Sequence, residues 1–141
     1  MVIGYTSGVY DLFHIGHLNV LKHAKSECDH LIVAVTTDEL SVSRKAKAPV
    51  VPLEERMAII RELRCVDEVV VQADMNKFGA WERHRFHRMF VGDDWKGDPK
   101  WVELEKRFAP HGVEIVYFPY TTHTSSTKLR QALDVLTAAV G

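Results

Sequence analysis

Residues 2–37, VIGYTSGVYDLFHIGHLNVLKHAKSECDHLIVAVTT, set the pattern for the whole chain. Residues 2–6 are predicted to form a short strand that ends at Ser7-Gly8. Apolar residues recur at helical spacing over residues 15–27, which predicts a helix there. Residues 30–37 are an apolar, β-branched run with the length of a strand that is buried on both faces. A strand, a helix and a second strand in this order predict a parallel βαβ unit.

The rest of the chain alternates in the same way, without a repeat, a low-complexity tract or a linker. The predicted elements are a mobile basic loop at 41–52, helices at 52–64, 81–89, 101–109 and 126–140, and strands at 67–72, 89–91 and 113–118. Ser125 or Ser126 is the expected cap of the last helix. This alternation predicts one α/β domain over residues 1–141, of Rossmann-like, doubly wound type with a parallel sheet. Ligands of such sheets bind beyond the carboxyl ends of the strands.

The composition limits the classes of function. The 141 residues are 46% hydrophobic, which suits one sizeable core, and the net charge of −1 provides no global basic field for nucleic acid or an anionic membrane. The apolar runs have strand length, far below the ~18 residues of a membrane span. The N-terminus lacks the features of a signal peptide, and Cys28 and Cys65 form no metal-ligand pattern. We therefore expect a cytoplasmic protein with reduced thiols and without nucleic acid or membrane as a partner.

Two histidines three residues apart, His14 and His17, lie where the first strand passes into the first helix. Such residues project to one side of a helix. Gly16 removes a side chain where a phosphate would approach the backbone, and the helix N-terminus supplies N–H donors and partial positive charge. Imidazole N–H groups could add directed donors to a phosphate chain. Surface or metal-binding histidines are the alternative interpretation of two histidines taken alone.

The ordered set Gly8, Asp11, His14, Gly16 and His17 resembles the cytidylyltransferase branch of the H-x-G-H nucleotidyltransferase superfamily. The resemblance implies that both histidines bind the triphosphate and stabilise the transition state. It also implies that Asp11 contributes to acceptor binding and, more weakly, to a metal site. The residues implied at the nucleotide in this first turn are Gly8, Val9, Tyr10, His14, Gly16 and His17.

A basic loop and an arginine follow the second strand. Arg44, Lys45 and Lys47 form either a solvated loop surface or a lid that closes over anionic substrates and excludes water. The resemblance implies lysines on the acceptor phosphate and the nucleotide. Lys45 and Lys47 match these positions best, and Arg44 is the alternative match. Lys47 is thereby implied in catalysis and nucleotide binding. The resemblance also places Arg56 in catalysis, either on a phosphate or ordering the lid, and Asp38 at the substrate.

Residues 92–97, GDDWKG, follow the short fourth strand. Gly92 allows close backbone approach, Asp94 offers acceptors for a base or for hydroxyls, and Trp95 could form a pocket wall. An acidic turn is the simpler interpretation. The segment resembles bacterial glycerol-3-phosphate cytidylyltransferases of wall teichoic acid synthesis more than heptose-phosphate adenylyltransferases. The same resemblance implies that Lys77 binds the acceptor phosphate.

A run of hydroxyl side chains, PYTTHTSSTKLR at 119–130, precedes the last helix. Hydroxyls and exposed N–H groups at a helix start favour a phosphate site. The residues that match the family here, and are implied at the nucleotide, are Thr121, Ser125, Ser126 and Thr127. Tyr120 stands where the family usually has an arginine, and His123 where it has a glycine. A tyrosine cannot supply a bidentate guanidinium, so either Arg130 or another cation substitutes or the ligand is bound differently.

The predicted function is transfer of CMP from CTP to a phosphorylated alcohol, with glycerol-3-phosphate as the expected acceptor and CDP-glycerol and pyrophosphate as products. Mg²⁺ is expected on the triphosphate with few protein ligands, as hard-cation chemistry and the resemblance suggest. A homodimer is implied by the resemblance alone. The alternatives are an adenylyltransferase acting on a sugar phosphate or FMN, and a nucleotide-binding module without catalysis.

Overall fold

The computed structural model describes residues 1–119 and 126–140. The strands within these ranges are β1 (Ile3–Gly8), β2 (His30–Thr36), β3 (Glu68–Gln72), β4 (Arg88–Gly92) and β5 (Glu114–Phe118). The helices are α1 (Ile15–Ser26), α2 (Asp38–Lys45), α3 (Leu53–Arg61), α4 (Lys77–His84), α5 (Pro99–Phe108) and α6 (Ser126–Val140). Two 3₁₀ turns cover Asp93–Trp95 and Ala109–His111. No helix among the described residues is long and apolar enough to cross a membrane.

The strands form one parallel sheet with the order β3-β2-β1-β4-β5. In the register of the central strands, Tyr5 lies opposite Ile32 of β2 on one side and Met89 of β4 on the other. This confirms the predicted Rossmann-like α/β architecture. From β1 the chain adds strands in one direction, to β2 and β3, and from β4 it adds β5 in the other direction. At such a switch point between β1 and β4, a crevice opens outside the carboxyl ends of the strands. The fold therefore places the candidate site beyond Gly8 and Gly92.

Each face of the sheet is covered by its own apolar core, and β2 shows the alternation that joins them. Leu31, Val33 and Val35 belong to one core, with α1 and α3, while Ile32 and Ala34 belong to the other, with α4 and α5. All five side chains are buried, as expected for a parallel strand covered on both faces.

Close packing at the start of β1 requires a glycine. A Cβ on Gly4 would lie 2.5 Å from the ring of Phe90 and 2.8 Å from Sγ of Cys28. The missing side chain lets β1 and β4, the two strands that border the crevice, pack tightly with Cys28, which follows α1.

Two predicted elements were wrong in position. Part of the predicted loop at 41–52 is helix α2, which begins after Thr37, whose Oγ1 accepts a hydrogen bond from the Leu40 N–H over 3.0 Å. The helix predicted at 81–89 lies at 77–84 instead, because Asn76 caps its start through a 2.9 Å bond from the Gly79 N–H. It ends at Arg85, which adopts a left-handed backbone with φ of 51°.

Candidate active site

The loop that leaves β1 turns sharply before α1. Tyr10 and Leu12 both have a left-handed backbone, with φ of 53° and 50°, which is uncommon for residues with side chains and marks a constrained segment. The buried Tyr10 ring folds back over Gly8, where an added Cβ would lie 3.0 Å from it. The turn delivers His14 to the N-cap position of α1 at the crevice.

His14 and His17 form a reciprocal cap on α1. Nδ1 of His14 accepts a hydrogen bond from the Gly16 N–H over 3.0 Å, and Nδ1 of His17 accepts one from the His14 N–H over 3.3 Å. The two rings stack with their centroids 3.9 Å apart. Because Nδ1 accepts in both rings, the proton of each neutral imidazole is assigned to Nε2. The motif therefore presents two Nε2–H donors from one helix N-terminus.

Both imidazoles are neutral at pH 7. Burial, reinforced by the neighbouring His14, lowers the pKa of His17 from 6.5 to about 4, although Asp11 opposes the shift. Burial also lowers the pKa of His14. Neutral rings stack without charge repulsion, and their N–H groups are donors that an incoming polyphosphate can use together with the backbone of the helix start.

Asp11 connects three parts of the crevice. Its carboxylate accepts hydrogen bonds from the N–H groups of Val50 and Val51, at 2.8 and 2.9 Å, and from Nη2 of Arg130 at 3.1 Å. Burial opposes its ionisation, but these donors prevail and lower its pKa. The carboxylate thus holds the segment after the basic loop and the first turns of α6 against the turn that carries the histidines.

Arg56 lies beneath the crevice, with only 1% of its surface exposed. Its guanidinium donates to the carbonyls of Val51, Val9 and Thr36 over 2.7–2.8 Å and pairs with the Asp38 carboxylate. Of the two roles implied for it, contact with a phosphate and ordering of the lid, this geometry supports the second. Asp38 likewise points to Arg56. In this structure the two side chains position each other, and their expected contacts with phosphate and substrate stay predictions.

The described basic side chains at the end of α2 and in the following loop are exposed to solvent. Lys47 and Arg44 are exposed, and Arg44 also lines the large cavity described below. The Lys47 carbonyl is 3.4 Å from Oγ of Ser41, which ties the end of the loop back to α2. The side chain of Lys45 lies outside the described set.

A cavity of about 820 Å³ opens at the carboxyl ends of β1 and β4 and extends between α4 and α5. Five residues predicted at the site line it, and they are Gly8, Val9, Arg44, Lys77 and Trp95. Nζ of Lys77 donates a 2.7 Å hydrogen bond to Oγ of Ser7, at the end of β1. Burial, reinforced by Arg44, lowers the pKa of Lys77 from 10.5 to about 8, so the ammonium persists at pH 7 beside Ser7.

The cavity also includes functional candidates that the sequence reasoning missed. These are Ser7, Gln72, Phe78, Lys100, Trp101 and Arg107. Most of them lie in ordinary helices without a motif. The spacing of Lys100, Leu104 and Arg107 on one helical face was the available signal, although that signal alone does not tell a ligand face from a solvated one.

The remaining predicted residues fall at the edge of the site or outside the described ranges. Gly92 ends β4, and Asp94 is exposed in the following 3₁₀ turn with interactions of its own. Thr121 and Ser125, with Tyr120 and His123, lie outside the described residues, as do the side chains of Ser126 and Thr127. Their assignment to the nucleotide stays a prediction.

Residues 1–119 and 126–140 contain no group of three or more acidic, histidine or cysteine side chains able to hold a metal ion. The Asp11 carboxylate, the predicted weak ligand, has both oxygens bound to backbone N–H groups. The described side chains therefore do not fit a protein-held Mg²⁺ site. Mg²⁺ bound mainly through substrate phosphates would need no such cage.

Comparison with known proteins agrees with this geometry. The cytidylyltransferase-like family matches residues 5–132. Glycerol-3-phosphate cytidylyltransferase of Bacillus subtilis is 33% identical over 135 residues, covering 91% of this chain and 94% of the relative. FAD synthase of Pyrococcus abyssi is 30% identical over 131 residues, covering 92% of this chain and 88% of the relative. A lipopolysaccharide core biosynthesis protein from Thermoplasma volcanium has a similar solved structure, with a TM-score of 0.72 and 25% identity. The match covers 88% of this chain and 99% of that protein's chain.

The match spans β1 through the first turns of α6, so it includes the histidine turn, the basic loop and the large cavity. A family match of this extent, together with the two Nε2–H donors at the N-terminus of α1, supports one assignment. The chain belongs to the cytidylyltransferase-like family and is a nucleotidyltransferase.

Proposed function

We propose that the protein transfers CMP from CTP to a phosphorylated alcohol, with glycerol-3-phosphate as the first acceptor to test. The observation that carries the proposal is the pair of Nε2–H donors on His14 and His17, beside a cavity whose inner end holds the Lys77 ammonium. The donors suit a triphosphate, and the ammonium suits an acceptor phosphate.

The proposed reaction is a single in-line displacement. An oxygen of the acceptor phosphate attacks the α-phosphorus of CTP, the bond from this phosphorus to the bridging oxygen breaks, and pyrophosphate leaves with the electron pair. The nucleophile is already an anion, so neither a general base nor a covalent enzyme intermediate is required. Catalysis then depends on alignment and on stabilising charge as it moves toward the leaving group.

The proposed roles combine the positions of the described side chains with the family resemblance. His14 and His17 donate to the phosphate chain, aided by the backbone at Gly16 and by Lys47 from the lid. Lys77 and Arg44, with Lys45, bind the acceptor phosphate, and Trp95 forms a wall of the acceptor site. The residues proposed at the nucleotide beyond the histidine turn are Gly92, Asp94, Thr121, Ser125, Ser126 and Thr127. Mg²⁺ would neutralise phosphate charge, carried by the nucleotide itself.

A second candidate is transfer of AMP from ATP to FMN. It is supported by the identity to an FAD synthase and by the aromatic side chains of Phe78, Trp95 and Trp101 in the cavity, against which a flavin could stack. The Gly92–Gly97 segment favours the cytidylyltransferase over this candidate. Proposals of a homodimer and of a cytoplasmic location rest on the family resemblance, and light scattering of the purified protein tests the first.

The decisive experiment is a matrix of pyrophosphate release assays with CTP or ATP against glycerol-3-phosphate or FMN, all with Mg²⁺. Turnover that requires CTP and a phosphorylated alcohol supports the proposal, whereas turnover with ATP and FMN replaces it by the second candidate. The variant His17→Asn serves as the blank for contaminating activity, and His23→Asn, on the same helix, serves as its matched control. No turnover with any of these pairs or with a panel of other phosphorylated alcohols, in a folded protein that binds nucleotide, would indicate a binding module.

A further inference from the structure

The cavity extends from the carboxyl ends of β1 and β4 to the space between α4 and α5. The cavity measures about 820 Å³. Part of this space, at Gly8 and Val9, adjoins the turn that carries the histidines. The part between α4 and α5 is lined by Phe78, Lys100, Trp101 and Arg107.

The charged lining is strongly positive and falls into two pairs. Arg44 and Lys77 form the inner pair at the carboxyl end of the sheet, and Lys100 and Arg107 form the outer pair on α5. The only acidic side chain in the described lining is Asp98, whose Oδ1 caps α5 by accepting from the Lys100 N–H over 2.9 Å. One phosphate at the inner pair would leave the outer pair without an anionic partner from the ligand.

The outer pair shares one face of a rigid helix. Lys100 and Arg107 are seven residues apart, which is about two turns and about 10 Å of helical rise. The guanidinium carbon of Arg107 lies over the Phe78 ring, 4.1 Å from its centre, in a cation–π contact. The rings of Trp95 and Trp101, 6.3 Å apart between centroids, also line the cavity. The outer pair thus adds positive charge and a guanidinium stacked on a ring to the part of the cavity between α4 and α5.

We propose that the acceptor is a phosphorylated alcohol with a second anionic group, whose phosphate binds at Arg44 and Lys77 and whose second anion binds at Lys100 and Arg107. This proposal rests on the proposed function and narrows its acceptor class. The carbon chain between the two anions lies against Phe78, Trp95 and Trp101. Glycerol-3-phosphate fills only the inner part of this site.

The test uses acceptors that differ in the second anion alone. The pairs are 6-phosphogluconate with sorbitol 6-phosphate, and 3-phosphoglycerate with glycerol-3-phosphate. We expect the wild-type enzyme with CTP to prefer the carboxylate member of the six-carbon pair at least tenfold in kcat/KM. Lys100→Gln and Arg107→Gln should each remove most of this preference by raising KM for the carboxylate member only. Arg85→Gln is the matched control, because Arg85 stacks on Trp81 as Arg107 stacks on Phe78 but lies outside the cavity lining.

Calorimetric binding of the same acceptors to the full chain separates this proposal from the proposed function. Tighter binding of 6-phosphogluconate than of sorbitol 6-phosphate, lost in Arg107→Gln, supports the second anion site even if no nucleotide turns over. Equal affinities and equal kcat/KM values for both members would overturn the proposal, while CTP-dependent turnover would keep the proposed function. A preference that survives in Lys100→Gln and Arg107→Gln would also overturn it.

Discussion

Arg130 donates a hydrogen bond from Nη2 to Oδ2 of Asp11 over 3.1 Å, which joins residues 119 positions apart in the sequence. The same nitrogen donates to the carbonyl of Ala48 over 3.0 Å. Since Asp11 also accepts the N–H groups of Val50 and Val51, one carboxylate links α6, the histidine turn and the segment after the basic loop. Ordering of the segment after the basic loop and ordering of α6 are therefore coupled.

A double-mutant cycle measures this coupling. We expect Arg130→Gln and Asp11→Asn to destabilise the fold singly, and to show an interaction free energy of about 1 kcal/mol in urea unfolding. Both should also raise KM for CTP, because the turn and α6 lose their common anchor. A cycle that closes with no interaction energy would mean that the two side chains act independently.

Arg56 should be required for folding stability rather than for substrate contact. Its side chain is buried and donates to three carbonyls and to the Asp38 carboxylate, so Arg56→Met should destabilise the protein by about 3–5 kcal/mol. Arg56→Lys should rescue little, since an ammonium cannot reach the same acceptors with a planar fork. Arg61→Met, an exposed arginine on the same helix, is the control and should leave urea unfolding almost unchanged. A stable, inactive Arg56→Lys would instead indicate a direct catalytic role.

The variant His17→Asn separates the capping role of His17 from its donor role. The asparagine oxygen can accept the His14 N–H in place of Nδ1, while the Nε2–H donor is lost. We expect the melting temperature to stay close to wild type and kcat to fall by roughly 10²–10³, the usual effect of removing one transition-state donor. His17→Ala should lose both properties. Full activity in His17→Asn would remove the histidine from the transition state.

Acidification should weaken the fold through the histidine pair. Between the ordinary pKa of 6.5 and the folded value of about 4 for His17, the unfolded chain binds a proton that the folded chain does not, so the free energy of unfolding falls as pH falls. At about 1.4 kcal/mol per unit, the loss from pH 6.5 to pH 5 is about 2 kcal/mol. Burial lowers the pKa of His14 as well, which adds in the same direction. Urea unfolding at both pH values should show a larger loss for wild type than for His17→Asn, and equal losses would contradict the assignment.

Lys77 should set the alkaline limit for acceptor use. Its pKa of about 8 means that the free enzyme loses the ammonium as pH rises above 8, and kcat/KM for the acceptor should then fall tenfold per unit. Lys77→Arg keeps a cation at all these pH values and should remove this alkaline limb, although its altered shape lowers the plateau. An unchanged limb in Lys77→Arg would assign the titration to another group.

The sheet and α1 could be predicted because their signals are local. The run from Leu31 to Val35 is apolar at every position, as a doubly covered strand requires, and His14 stands at the point where helical periodicity begins. The start of α4 depends instead on one capping residue, Asn76, and the predicted range 81–89 included Phe86 and Met89, which follow the end of the helix. Those two side chains are buried by the sheet rather than by a helix face.

The residues of the candidate site likewise differ in whether a local sequence signal identifies them. The histidines and Lys77 could be identified from the motif and from the family resemblance. Lys100 and Arg107 could not, because they reach the crevice only through the packing of α5 beside α4, which no short segment encodes. The burial of Arg56 also depends on contacts with residues up to 47 positions away.

The position of β1 between β2 and β4 has a consequence for how the protein is made. The strands β1, β2 and β3 are neighbours along the chain and can pair early, but the Thr6 hydroxyl reaches its acceptor, the Phe90 carbonyl, across 84 residues. Closing so long a loop is slow relative to local pairing. The crevice does not exist on a nascent chain until β4 has left the ribosome and docked beside β1. Nucleotide can therefore bind only after the sheet is complete, and it stabilises the folded state without helping the earlier steps of folding.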